Sequence, residues 1–109
     1  MKDISSSFSA IDTTGVHFAS LKAKQIGNIV SLTMQVDLTI ANNASVEVPN
    51  FTSKIPNVGN FSLNASIGTT NRPYIDTRIG ANGVLVFLNR SDSAISNQAY
   101  IISGTYLVD

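Results

Sequence analysis

The sequence predicts an all-β domain, an antiparallel β-sandwich or jelly-roll-like barrel, on three observations. Short runs of alternating polarity recur along the chain, turn signals separate them at fairly regular spacing, and no helical period of useful length appears. Folds of this class must cover their sheet edges, and contact with further subunits is one way of doing so.

"GVHFASLKAK" alternates loosely and leads through "QIGN" into the clearest segment, residues 28–41, "NIVSLTMQVDLTIA". The Gly27-Asn28 pair is a tight-turn signal, so the two segments read as a hairpin. In the second, Val30, Leu32, Met34, Val36, Leu38 and Ile40 alternate with Ser31, Thr33, Gln35, Asp37 and Thr39, which predicts a central strand with one dry face. At about 3.3 Å per residue it spans roughly 40 Å. A short strand around Val46 and Val48 follows and is stopped by Pro49, which has no N–H for a ladder. "TSKIPNVGN" is a loop by composition.

"FSLNASIG" sets Phe61, Leu63, Ala65 and Ile67 against Ser62, Asn64 and Ser66, a second half-buried strand, and "TTNRP" connects it onward. "YIDTRI" places Ile75, Thr77 and Ile79 on one face and Tyr74, Asp76 and Arg78 on the other. Asn82-Gly83 predicts a type I′ hairpin into "VLVFLN", whose continuous apolarity suggests cover on both faces. "RSDSAISNQ" reads as a polar loop. The ending "AYIISGTYLVD" is far too apolar for a loose tail and reads as a closing strand, with Gly104 marking a bulge or a close backbone approach.

The 109 residues suit one domain: residues 15–109 as the β domain, and the serine-bearing residues 1–14 as a linker or N-terminal extension. A domain this small buries roughly two-thirds of its unfolded surface. Without cysteine, no disulfide or thiolate zinc site adds stability, which leaves oligomerisation as the common route. Seven basic and seven acidic residues cancel, so there is no basic stripe for nucleic acid. No apolar run approaches the roughly 20 residues of a membrane span, and "MKDISSSFSA" lacks the apolar middle of a signal peptide. Glycosylation patterns at Asn43, Asn50, Asn60, Asn64 and Asn89 read as chance matches in an Asn/Ser/Thr-rich chain made in a bacterial cytoplasm, in keeping with the absent cysteines.

His17 lies in a strand between Val16 and Phe18, with no nucleophile-elbow pattern in the chain, and reads as a structural or partly exposed histidine. The carboxylates Asp3, Asp12, Asp37, Glu47, Asp76, Asp92 and Asp109 form no Asp-rich calcium loop, and spacing does not pair any two for glycoside hydrolysis. The chain is therefore expected not to be an enzyme and to need no metal or cofactor. Saccharide sites combine an apolar or aromatic face with carboxylate, amide and guanidinium groups. Tyr74, Asp76, Arg78, Phe87 and Asn89 around the Asn82-Gly83 turn have that inventory and are the candidate contacts. The competing expectation is an ordinary surface ion pair between Asp76 and Arg78, worth about 0–1 kcal/mol.

The order of these features resembles the C-terminal head domain of receptor-binding proteins from tailed phages of Gram-positive bacteria, the lactococcal baseplate type in particular. "FASLKAKQIGNIVSLTMQV" resembles the opening hairpin of such heads, "VEVPNFTSKIPNVGNFSLNASIG" their proline-bearing loop and following strand, "YIDTRIGANGVLVFLN" their hairpin around a Gly turn, and "ISGTYLVD" their Gly-Thr/Ser-Tyr ending.

The resemblance covers roughly residues 15 to 109. It implies a trimeric head in the virion, at the tail tip or baseplate, that binds host cell-wall saccharide without cutting it and contacts other baseplate or tail proteins. The alternative is a structural baseplate or fibre module that docks another virion protein. Aligned on Gly83, Asp76 stands where those heads carry a histidine and Arg78 where they carry an aspartate. Phe87 and Leu88 stand at their adjacent aromatics, and Ile101 replaces their arginine.

Overall fold

A computed structural model describes residues 2–66 and 75–109. It is all-β, 61% strand, with the strands curled into an antiparallel half-barrel. Among the described residues the strands are β1 (Lys2–Asp3), β2 (Val16–Ile26), β3 (Ile29–Ile40), β4 (Ser45–Val48), β5 (Phe61–Ser66), β6 (Ile75–Ile79), β7 (Leu85–Asn89) and β8 (Ile95–Leu107), with one 3-10 turn at Ser5–Ser7. Their spatial order is β1-β2-β3-β8-β5-β6-β7-β4.

β3 has the predicted alternation: its six inward residues, Val30 to Ile40, are all buried, and their removal from water contributes on the order of 10 kcal/mol before chain entropy is subtracted. Ile26 pairs with Ile29 across Gly27, whose φ of 57° supplies the left-handed residue that a two-residue hairpin needs. The terminal strand lies in the middle of the molecule. β8 is bonded to β3 along nearly its whole length and buries Tyr100, Ile102 and Tyr106. Its apolar residues are thus core residues, with Ile101 and Leu107 left facing outward.

β8 also begins earlier than expected, at Ile95 within the segment read as a polar loop. Ile95 is buried and pairs with Ile40, while a register shift between Leu38 and Ile40 and a left-handed Asn97 turn the intervening polar residues to solvent. Gly104 marks a close approach and not a bulge, since Leu32 to Met34 pair through it without a shift. A Cβ there would lie 2.5 Å from Leu63 Cδ2, because β5 crosses at this point. β5 bonds to β6 through Phe61 to Leu63 and to β8 through Asn64 to Ser66, so it carries the sheet around its corner.

The N-terminal segment shares the core with the rest of the chain. Lys2 and Asp3 pair with β2, and Ile4 and Phe8 enter the core. Phe8 forms a bridge with Thr52, Ser9 N–H donates to the Phe51 carbonyl at 2.7 Å, and Thr52 Oγ1 donates to the Ser7 carbonyl at 3.1 Å. Phe51 meets Phe8 edge-on at 5.4 Å and stacks on Phe18 at 6.0 Å. This aromatic group joins the start of the chain to the segment after β4, two regions that lie at opposite ends of the strand order.

Candidate functional site

β6 and β7 form the hairpin that carries most of the predicted site. Its turn differs from the expected type I′: Gly83 takes φ 79° but Asn82 does not join it in the left-handed region. Gly83 N–H donates to the Gly80 carbonyl at 3.0 Å and Gly80 N–H to the Val84 carbonyl at 2.9 Å, which is a longer loop with a left-handed residue at its end. Glycine is required at 83 twice over, by its φ and because a Cβ would run into the Thr52 carbonyl oxygen.

Register decides which side chains share a face. Asp76 pairs with Leu88, Arg78 with Val86, and Thr77 with Phe87. The outward face therefore holds Asp76, Arg78, Val86 and Leu88, extended by Ser45 and Glu47 of β4 and Ser62 of β5. Phe87 and Asn89 point the other way. The expectation that they contact a ligand beside Asp76 is corrected on this ground, since both are 0% exposed. The expected two-sided cover of β7 is corrected as well: Leu85, Phe87 and Asn89 are buried, but Val86 and Leu88 remain half-exposed outside.

Phe87 fills the core. Asn89 joins three chain segments: its amide nitrogen donates to the carbonyls of Ile40, Ala41 and Ser93, and its carbonyl oxygen accepts from Ser91 N–H and Oγ. Tyr74 lies outside the described residues.

Asp76 and Arg78 are brought together as expected, and a third residue joins them. Arg78 Nη2 donates to Asp76 Oδ2 at 2.6 Å, and Arg90 Nε donates to the same oxygen at 3.3 Å. The Arg78 hydrogen bond, followed by the nearby positive charge of both arginines, holds the Asp76 carboxyl below its ordinary range despite some desolvation. The Asp76 side chain is 16% exposed against 39% for Arg78 and 56% for Arg90, so the carboxylate is the inner part of the cluster and the guanidinium groups are the outer part. Arg90 carries no sequence signal of its own, because it follows β7 in a polar segment without a strand period. The strand period placed Asp76 and Arg78, but only the fold brings in Arg90. Next to this cluster, Val86 forms one wall of a depression of about 500 Å³ whose other walls include Glu47, Asn60, Asn82 and Val84. Ile101 lies on β8, two strands from β6 in the sheet order.

His17 is more than half exposed and hydrogen-bonds Asp12 Oδ2 through Nδ1 at 2.7 Å, while Asp12 Oδ1 accepts from Phe18 N–H at 2.9 Å. Asp37 is its cross-strand neighbour. The Asp12 hydrogen bond and charge raise the His17 pKa above the ordinary 6.5, and the Phe18 N–H followed by His17 lowers that of Asp12. The pair's contribution is complete below the unfolded histidine value and above the unfolded aspartate value. It is lost as pH rises through the raised His17 value, and again as pH falls through the lowered Asp12 value. In an NMR titration, Asp12→Asn is expected to bring the His17 pKa down toward its ordinary value. Identical titration curves in both proteins would show that the pair does not form in solution.

Among the described residues no group of three or more His, Cys, Asp or Glu side chains is placed to hold a metal ion. Compared with protein families and with curated proteins, the chain matches none.

Proposed function

We propose that this chain is the receptor-binding head of a tailed phage, of the sandwich or jelly-roll class and trimeric in the virion, that adheres to a saccharide of the host cell wall without cleaving it. The observation that carries the reading is the outward face of the β6–β7 hairpin, where a carboxylate anchored by two arginines adjoins an amide-lined depression. Guanidinium groups and amides donate to and accept from sugar hydroxyls, and Val86 offers an apolar contact for a ring face. The order of hairpin, proline-bearing loop and Gly-Thr-Tyr ending supports the same reading by resemblance. Asp76, held ionised by its arginines, is suited to accepting hydrogen bonds and ill suited to the proton donation that glycoside hydrolysis requires. Trimerisation multiplies weak sites into useful avidity.

A second reading, a structural module docking another virion protein, is favoured by one feature. Ile26, Ile29 and Leu107 pair across three adjacent strands and are each more than two-fifths exposed, forming an apolar row on the outer face of β2, β3 and β8.

Fluorescently tagged protein, with its mass in solution determined on the same sample, is expected to label some Gram-positive strains and not others, as a trimer. Asp76→Ala and Arg78→Ala are each expected to weaken labelling about tenfold or more, since charged hydrogen bonds are worth roughly 1.5–3 kcal/mol, with unchanged circular dichroism. Undiminished labelling by both variants moves the site elsewhere. A monomer that labels nothing but is captured stoichiometrically by a virion component establishes the docking reading, and release of soluble wall fragments establishes an enzyme.

A further inference from the structure

A second depression, of about 530 Å³, lies on the other side of Ala81 from the first, between the loop of residues 53–59 and the end of β8. The two are contiguous: Ala81 lines both, and the consecutive residues Gly59 and Asn60 line one each. An ideal Cβ on Gly59 would stand 4.0 Å from that of Ala81, so the ridge between the lobes is built from the two smallest residue types.

We propose that the two lobes form one groove that takes an extended, uncharged oligosaccharide chain across Ala81, so that the ligand reaches beyond the Asp76–Arg78 face. This inference rests on the saccharide reading for its ligand class, but its location is independent of it. Each lobe falls within the roughly 300–1,000 Å³ of ordinary small-molecule sites. Gln25, Lys54 and Asn57 line the 530 Å³ lobe together with Ile55 and Pro56, and Glu47, Asn60 and Asn82 line the 500 Å³ lobe together with Val84 and Val86. Amides donate and accept at once, as sugar hydroxyls do, and the short apolar floors suit the C–H faces of pyranose rings. Lys54 and Asp109 in one lobe and Glu47 in the other form no ion pair among the described residues. With two carboxylates against one ammonium, the groove favours a neutral chain over a polyanion.

The groove is also held in shape before any ligand arrives. Tyr106 Oη donates to the Lys54 carbonyl at 2.8 Å, Asn57 N–H to the Leu107 carbonyl at 2.8 Å, and Gly59 N–H to the Pro56 carbonyl at 3.1 Å. Burial pushes the Tyr106 phenol far above its ordinary range, which keeps it a donor. A loop tied at three points loses little further entropy on binding.

The test is a titration of ¹⁵N-labelled full chain with chitotetraose, cellotetraose and four-ring fragments of wall polysaccharide released from a strain the protein labels. Amide shifts at Lys54, Asn57, Gly59, Asn60 and Ala81 are expected with at least one probe, together with affinity at least tenfold above that for its single-ring unit. Ala81→Trp, on an exposed turn, is expected to abolish that gain and Ala81→Ser to keep it. Shifts confined to Asp76, Arg78 and Arg90, or undiminished binding by Ala81→Trp, overturn the groove and leave the saccharide reading standing. If no strain is labelled, the phage-head reading fails while tetraose shifts still support the groove, and the absence of shifts with every probe overturns it.

Discussion

Asn89→Ala is expected to destabilise the domain by roughly 3 kcal/mol, an amount that moves the melting temperature of a domain this size by on the order of 10–20 °C. Its side chain is wholly buried: its two amide hydrogens are shared among the carbonyls of Ile40, Ala41 and Ser93, and its oxygen accepts from Ser91 N–H and Oγ. Alanine takes the amide from the buried Ile40 carbonyl and from Ser91 N–H and empties a fully buried site, while the Ala41 carbonyl keeps Ala44 N–H and the Ser93 carbonyl keeps Ser91 Oγ; losing a buried partner costs more than the bond itself contributes. Asn89→Asp is expected to be nearly as damaging, since a carboxylate donates nothing to three carbonyl oxygens. Both follow from thermal melts by circular dichroism. A melting temperature within about 2 °C of the parent would mean that water replaces the amide without cost, against the burial argument. Any loss of cell labelling by these variants is then a consequence of unfolding, to be judged at a temperature where each remains folded.

Phe87→Ala is expected to cost about 3–5 kcal/mol, the usual range for emptying an aromatic site in a packed core. Phe87 is fully buried, opposite Thr77, and sits in the middle strand of the β6–β7–β4 group. Guanidinium unfolding is expected to show a lower midpoint with an unchanged slope. Leu88→Ala, one residue on and facing outward at intermediate burial, is expected to cost clearly less. The comparison separates the two roles that an aromatic in this hairpin can have. A ligand-stacking residue loses binding at constant stability, whereas Phe87 loses stability first. Equal and small costs for both variants would contradict the register that turns Phe87 inward.

The long alternation of residues 28–41 was legible as a central strand because every second position along it is apolar, and one buried face is enough to specify strand and register together. Asp76 and Arg78 were legible as an outward pair for the same reason, alternating with the buried Ile75, Thr77 and Ile79. The error at Phe87 and Asn89 came from the two-residue turn expected at Asn82-Gly83, which would set Phe87 opposite Arg78 and Asn89 opposite Asp76 on one face. Ile79 pairs with Leu85, and a loop of that length puts the odd residues of β7 inside. A two-residue loop at Asn82-Gly83 would have predicted a different pairing.

What the sequence determined by itself is the class of structure and most of its strands, since period, turn chemistry and the absence of a helical pattern are local properties. Even the apolar ending was readable as a strand. Only the tertiary structure decided where that strand goes, in the centre between β3 and β5, and which faces meet. Arg90 reaching Asp76, Glu47 lying opposite Val86, and the loop of residues 53–59 tied to Tyr106 and Leu107 all join residues through long-range pairing. Pairing between distant segments is set by how whole faces fit together, and no short stretch of the chain encodes that fit.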